Sequence, residues 1–482
     1  MNGFRTLFVA PPWLDLYGNY QAAAKLGCVS HPLGLAYLGG AILQAGGDCR
    51  IVDMESEAVG VDGLLSVIAD YQPHFIGLSA TTPVFKNAVQ LAEAVKKRYP
   101  DIPLGLGGVH STIVGKEALQ DGPAFDFVVR GEAEHTVVEV CRALQAGRTL
   151  EGVAGVSYRR NGEIVENPRN PLIENLDDLP MPARHLLKAD LYQHSLPGRG
   201  FVRYANLFTS RGCPFQCIFC SQHTMHGRKV RFHGVQRVIA ELRDIVEGQG
   251  VQHVIMMDET LTLKRDRTLE LCQAIRDAGL NFTWEGWTHA STIDEEMLSC
   301  MKAAGLIRIS FGIESGDPVI LKRIKKSVTL DQIREAYRIA ARVGLETRGS
   351  AMLGHPGETR KTAWRTIKFV RSIRECQQLY LNIACPYPGT ELFECAVNGQ
   401  EGMTLLTQDY ACYKRYGKPV ISVNDLDPKA LQRIQTLGLL AFYLTPRRIW
   451  YNVVARAGIR AGLRNGWAFF KGVVSSLLRG RQ

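Results

Sequence analysis

Three thiols fall within eight residues of one another in the stretch Arg211-Gly-Cys-Pro-Phe-Gln-Cys-Ile-Phe-Cys-Ser221, as Cys213, Cys217 and Cys220 in the pattern C-x3-C-x2-C. They directly follow the strand-like run 205–210. Soft thiolates select zinc or iron–sulfur clusters, and a loop this short can wrap three corners of one metal centre while supplying no fourth thiol. Structural sites are normally closed by four protein ligands, whereas an open position lets a substrate bind and react. The structural alternative is a Cys3His zinc site completed by His223 or His226. Phe219, beside the last thiol, is apolar cover in either case.

A C-x3-C-x2-C with an aromatic before its last Cys, closing the first strand of a run of β/α units, resembles the signature of radical S-adenosylmethionine (SAM) enzymes. The resemblance implies that the three Cys hold a [4Fe-4S] cluster whose remaining iron is ligated by the amino and carboxylate groups of SAM. It further implies reductive cleavage of SAM to a 5′-deoxyadenosyl radical, and hence an electron donor of flavodoxin or ferredoxin type.

The elements needed to position such a loop are legible downstream of it. Strands near Asn206, Val254, Phe282, Arg308, Thr347 and Leu379 alternate with helices at 234–247, 265–278, 294–304, 330–343 and 360–374 and one near Glu391. Six units fit a partial (β/α)6 barrel over 201–400, where chemistry belongs at the carboxyl ends of the strands. The polar clusters fall at those ends. By resemblance, Asp258 and Glu259 stand where the family binds the methionine ammonium, although the usual G-G-E is absent; a pair of acids capping the next helix reads equally well. Trp287 and His289 end the third strand. Glu314 or Ser315 matches the position that meets the ribose or methionine end of SAM, with glycines beside them for close approach. Met352 and Leu353 stand where adenine packs, and Phe219 joins this SAM set.

The first part of the chain alternates in the same way. Strands at 5–10, 49–54, 74–79, 104–106 and 125–130 with intervening helices predict a doubly wound, flavodoxin-like sheet over 1–148. Its ligand would lie beyond the strand ends, at Pro11, Pro12, Ser79, Ala80, Thr81, Thr82, Gly107, Gly108, Val109, His110, Gly131 and Glu132. No G-x-G-x-x-G follows the first strand, which argues against a dinucleotide. Stretches 32–38, 77–83, 106–110 and 128–134 instead resemble the cobalamin (B12)-binding domain that precedes many radical SAM domains. The D-x-H-x-x-G motif, whose His ligates cobalt from below in other B12 proteins, is missing. A flavodoxin-like domain that has kept its shape without a cofactor is the alternative.

Residues 149–200 read as a connector with an Asn-Gly hairpin at 158–163, and 401–482 as a helical, basic extension of the α/β chain. The 482 residues require more than one core. The net charge of +10 belongs to the tail: residues 441–482 hold eight basic residues (Arg447, Arg448, Arg456, Arg460, Arg464, Lys471, Arg479, Arg481) and no acid, leaving 49 basic against 47 acidic elsewhere. A nucleic-acid surface across the catalytic domains is therefore unsupported. With Trp450, Trp467, Phe469 and Phe470 interleaved, segment 446–482 suits peripheral contact with an anionic membrane or a solvated helix pair. Scattered Cys without a signal-peptide pattern predict the cytoplasm. The resemblance implies methylation of an unactivated carbon or phosphorus of a small substrate, lipophilic if the tail binds membrane. Radical cyclisation or ring rearrangement of a tetrapyrrole or lipid is the alternative, as in the anaerobic magnesium-protoporphyrin monomethyl ester cyclase group. From another class, a non-catalytic iron–sulfur or zinc protein that binds a corrinoid would also fit.

Overall fold

The computed structural model describes residues 1–14, 16–17, 30–196, 198–414 and 417–455. Cys28 and six of the eight basic tail residues (Arg456, Arg460, Arg464, Lys471, Arg479, Arg481), with Trp467, Phe469 and Phe470, lie outside the described residues. The chain forms two units, one from 1–14, 30–192 and 221–232, the other from 193–220 and 233–455 with 16–17.

The first unit is a seven-stranded sheet: β1 (Arg5–Ala10), β2 (Asp48–Asp53), β3 (Phe75–Ser79), β4 (Leu104–Gly107), β5 (Phe127–Val129), β6 (Val156–Arg160) and β7 (Glu163–Glu166), in the order β2-β1-β3-β4-β5-β6-β7. The first five strands are parallel and apolar on both faces because helices 33–44, 61–71 and 85–98 and the short helices 109–114 and 117–121 connect them, with helix 134–145 following β5. Their order is that of flavodoxin. The connector expected over 149–200 is corrected. Its hairpin β6–β7 turns on Asn161 (φ 51°) and Gly162 (φ 84°) and extends the sheet antiparallel to β5. Ala183 N–H then donates to Ala36 O at 2.8 Å, and Gly40 admits the Met181 carbonyl, which a Cβ would strike at 2.2 Å.

The second unit holds β8 (Gln193–Leu196), β9 (Gly200–Leu207), β10 (His253–Met256), β11 (Thr283–Thr288), β12 (Leu306–Glu314), β13 (Glu346–Leu353) and β14 (Gln378–Ile383), ordered β14-β13-β12-β11-β10-β9-β8. Six strands, β9 to β14, are parallel and sequential neighbours, each followed by a helix; β8 is an antiparallel edge. The helices start where the side chains say they should: Asp294, Thr359, Thr390 and Asp427 cap by accepting backbone N–H groups, and Thr329 and Gln332 form a reciprocal capping box.

Toward the amino ends of these strands a buried charge network links four of them. Glu285 pairs with Arg308 and, at 3.1 Å, with Arg348, and Arg308 also pairs with Glu346. Burial alone would raise the Glu285 carboxyl, but the two guanidiniums and hydrogen bonds from His194 and His253 hold it well below the usual range. His194, His253 and Glu285 are the one trio of such ligands within 4.8 Å among the described residues. Two guanidiniums already neutralise that carboxylate, so a cation there would meet positive charge; the network is structural.

Candidate active site

The thiol loop is held by its neighbours rather than by secondary structure of its own. It leaves β9 through Thr209 and Ser210, both bound to the buried Asp258 carboxylate: Thr209 N–H at 3.1 Å, Thr209 Oγ1 at 2.7 Å, and the Ser210 hydroxyl. Arg267 adds donors to Thr209 O (3.0 Å) and His233 O (2.9 Å). Farther along, Ile218 N–H donates to Ile324 O (3.2 Å) and Ile218 O accepts from Leu392 N–H (3.0 Å). Phe215 stacks on His289 with ring centroids 4.0 Å apart. Burial, with help from Lys326, pushes His289 down to about 3, so it is a neutral platform.

Cys213, Cys217 and Cys220 are all half-buried on this loop, and Cys213 Sγ lies 3.9 Å from Thr260 Oγ1. Burial raises Cys217 to about 11, against Lys326, which lowers it. A bound metal would remove that proton outright. Tetrahedral zinc needs its sulfurs within about 4 Å of one another. These three do not converge within 4.8 Å, and His226 is engaged by Glu132 at 3.0 Å. The spread donors fit separate corners of a cubane better than one small ion.

Around the loop, strand ends of the second unit supply one opposed charge pair. Glu314 sits at a β-bulge with φ 61°, and Lys326 Nζ lies 3.7 Å from its carboxylate. Lys326 follows Lys325, itself at φ 53°, at the end of helix 318–323. Gly312 makes room for both side chains: a Cβ there would meet Glu314 Oε1 at 2.4 Å and Lys326 Nζ at 2.8 Å. Burial raises the Glu314 carboxyl although Lys326 opposes it. Glu259 and Met352 are half-buried on the same set of strand ends. Phe219 is half-buried 6.1 Å from the ring of His355, which burial lowers to about 4.

Three of the residues expected at SAM are engaged or enclosed within the protein itself. Asp258 accepts from Thr209 and Ser210 and so holds the start of the loop. Ser315 is fully buried, with Thr366 Oγ1 at 3.2 Å and the Asp317 N–H at 3.2 Å. Leu353 is fully buried in the core. Reading the sequence missed Lys326, Thr260, His355 and Glu358. Lys326 sits in the basic run 322–326, and the turn at Lys325 directs it inward.

In the first unit, Pro12 and Thr81 are exposed and Ser79, Gly107, Gly108 and Gly131 half-exposed along the carboxyl rim of the sheet. Gly108 has φ 98°, and a Cβ there would meet Ala80 O at 2.8 Å and Ser79 Oγ at 2.9 Å. Such a rim lets backbone approach a large flat ligand, so these residues fit a corrinoid. Three other expectations are corrected. Thr82 and His110 are buried and face each other, Nδ1 to Oγ1 3.3 Å, with the His110 ring centroid 4.1 Å from that of Phe85 at a tilt of 34°, and His110 is lowered to about 4 by burial. Glu132 is buried under Arg231, with pairings of 2.7 and 2.8 Å, and holds the segment 221–232.

Residues 207–370 match the radical SAM superfamily and 22–141 the B12-binding domain. The chain is 33% identical over 460 residues to an uncharacterized methyltransferase, PH0819, of Pyrococcus horikoshii, covering 95% of this chain and 96% of the relative. It is 30% identical over 399 residues to the anaerobic magnesium-protoporphyrin IX monomethyl ester cyclase of Rubrivivax gelatinosus, covering 81% and 69%. Among solved structures, the radical SAM methyltransferase TsrM of Kitasatospora setae, with cobalamin and a [4Fe-4S] cluster bound, matches in fold with a TM-score of 0.71 at 15% identity, over 100% of this chain and 99% of that one. Full-length likeness, both domain matches and the spread thiols lead to one assignment: this chain belongs to the cobalamin-dependent radical SAM enzymes, whose cofactors are a [4Fe-4S] cluster, SAM and cobalamin.

Proposed function

We propose that the enzyme methylates an unactivated carbon or phosphorus of a small substrate. The observation that carries this reading is the end-to-end likeness to a relative named as a methyltransferase. When bound, the cluster and SAM supply radical chemistry and cobalamin supplies a transferable methyl group. The chain's own residues hold and shield. Cys213, Cys217 and Cys220 would ligate the cluster, while Lys326 and Glu314 present opposite charges suited to the carboxylate and ammonium of one zwitterion. Glu259 adds a second acid at the ammonium end, Met352 an apolar face for adenine, and Phe219 with His355 a cover that keeps water from the loop. Pro12, Ser79, Thr81, Gly107, Gly108 and Gly131 would line the corrinoid.

We place the domain boundary near residue 192, after the extended first sheet and its covering segment, with the catalytic barrel following. A flavodoxin- or ferredoxin-type protein is the expected reductant. Among the described residues no helix is long and apolar enough to cross a membrane, and the reading puts the enzyme in the cytoplasm with peripheral contact through its C-terminal end. Cyclisation is the second reading, because of the 30% identity to the cyclase. The test is anaerobic turnover with SAM deuterated in its methyl group and a candidate lipid or tetrapyrrole. A product gaining one labelled methyl supports methylation; an oxidised, unlabelled product supports cyclisation.

A further inference from the structure

The described chain ends on an apolar surface. Leu444 (65% exposed), Ile449 (44%), Trp450 (60%) and Val454 (40%) are four of the eleven exposed large apolar residues among the described residues, and they fall within eleven consecutive positions. Such a cluster marks a docking face rather than scattered surface residues. It is rigidly seated. Tyr443 Oη bonds both Leu379 N–H (3.0 Å) and Leu379 O (3.1 Å), and Asn452 Nδ2 donates to Gln377 O at 3.4 Å. Tyr451 donates to Glu346. Arg448 is buried, donating to Cys376 O (3.0 Å) and Ile373 O (2.7 Å) and lying 3.8 Å from the Phe442 ring. Arg448 is thereby removed from the basic set available to a partner, which corrects the sequence expectation for it.

We infer that Leu444, Ile449, Trp450 and Val454 are the face by which the enzyme lies on an anionic lipid surface. The charge around the face complements such a surface. Arg371, Arg374 and Arg447 are exposed around the face, the acids there, Glu375 and the Arg308-paired Glu346, being half-buried, and the sequence carries no acid after Asp427 while adding six basic residues beyond 455. Apolar side chains with a Trp, ringed by cations, suit the headgroup boundary. The proposal rests on the membrane contact named above but not on the reaction. It also fixes an orientation. Glu346, Gln377 and Leu379 stand at the amino ends of β13 and β14, whereas the thiol loop stands at the carboxyl ends; the eight residues of β13 span roughly 25 Å. The face therefore anchors the barrel by the end opposite its cofactor loop, so the bilayer does not hand substrate directly to the site.

The test uses the full chain and a Leu444→Ser/Trp450→Ser double variant, with Val319→Ser, another exposed apolar residue (62%), as control. Co-sedimentation is measured with mixed phosphatidylcholine–phosphatidylglycerol vesicles and with pure phosphatidylcholine vesicles, and light scattering reports self-association. The expected result is selective pelleting with the anionic vesicles, weakened by salt, reduced about tenfold in the double variant and unchanged in the control. No binding by the unaltered chain would overturn membrane contact itself. Equal binding by the double variant would leave contact to the segment beyond 455 and overturn this face. Loss of a dimer in the double variant without loss of vesicle binding would assign the face to a second copy instead.

Discussion

The ammonium of Lys326 stands 3.7 Å from the carboxylate of Glu314, beyond a direct hydrogen bond, and the residues that aim the two, Lys325 and Glu314 itself, have left-handed backbone at φ 53° and 61°. Non-glycine residues held in that region cost about 1–3 kcal/mol each and cluster where a site needs them. A strained and loosely closed pair is suited to opening around a zwitterion. Lys326→Met is expected to raise KM for SAM about tenfold or more, because a charge-assisted contact is lost while the thiol loop keeps its anchors at Ile324 and Leu392. Iron content should not change. Unaltered SAM affinity measured by equilibrium binding would remove Lys326 from the site.

Asp258 tests whether a buried carboxylate can matter for chemistry without touching a ligand. Its alanine variant loses three hydrogen bonds to Thr209 and Ser210 and leaves those donors buried, which should cost on the order of 2–4 kcal/mol. Denaturant unfolding of the anaerobically purified protein reads the loss. Iron incorporation should fall with it, since Ser210 leads directly into the loop. A variant of undiminished stability would contradict the structural role.

Glu358 supplies a pH dependence. It is fully buried and accepts from Gly354 N–H (2.5 Å) and His355 N–H (3.3 Å), yet burial, the largest influence, pushes its carboxyl up from 4.5 to about 8. A folded-state value above the unfolded one means that the native protein binds the proton more tightly. Its favourable contribution is fully present below about pH 4.5 and is lost as pH rises through 8. Thermal melts should therefore show stability falling across that window, and Glu358→Gln, which stays neutral, should flatten the fall. Parallel pH profiles for the two proteins would refute the assignment.

Gly108 tests the corrinoid rim separately. At φ 98°, and with Ala80 O 2.8 Å from where a Cβ would stand, Gly108→Leu should abolish corrinoid retention while iron content is unchanged, because the glycine and the thiols belong to different units. Corrinoid absorbance and iron assay, taken on the same sample, decide it.

The sequence showed the alternation of strands and helices well because parallel strands buried on both faces are short unbroken apolar runs, as at Arg5–Ala10, and the helices between them are amphipathic and capped, as at Leu330–Val343 behind Thr329. It also placed the three thiols on one loop after β9, since their spacing is local. What it could not show was direction. Asp258 and Glu259 are adjacent in sequence, but one faces Thr209 and Ser210 from a buried position and the other is half-exposed. Glu132 was read as a strand-end ligand because Arg231, its partner, lies 99 residues away. Lys326 drew no notice in the sequence, because only the backbone turn at Lys325 brings it to Glu314. Each miss involved a long-range partner or a single φ angle, neither of which is encoded in local pattern.

On the reading proposed here, Cys213, Cys217 and Cys220 hold a cluster that opens SAM to radical chemistry. The most direct measurement is 5′-deoxyadenosine formation, quantified by mass spectrometry, from SAM and a strong reductant with the anaerobically reconstituted enzyme and with each Cys→Ala variant. The unaltered enzyme should bind iron and sulfide and form 5′-deoxyadenosine, whereas each variant should lose both the iron–sulfur absorbance and the product. Tightly bound zinc without iron, or a fully iron-loaded and reduced enzyme that forms no 5′-deoxyadenosine, would contradict the account.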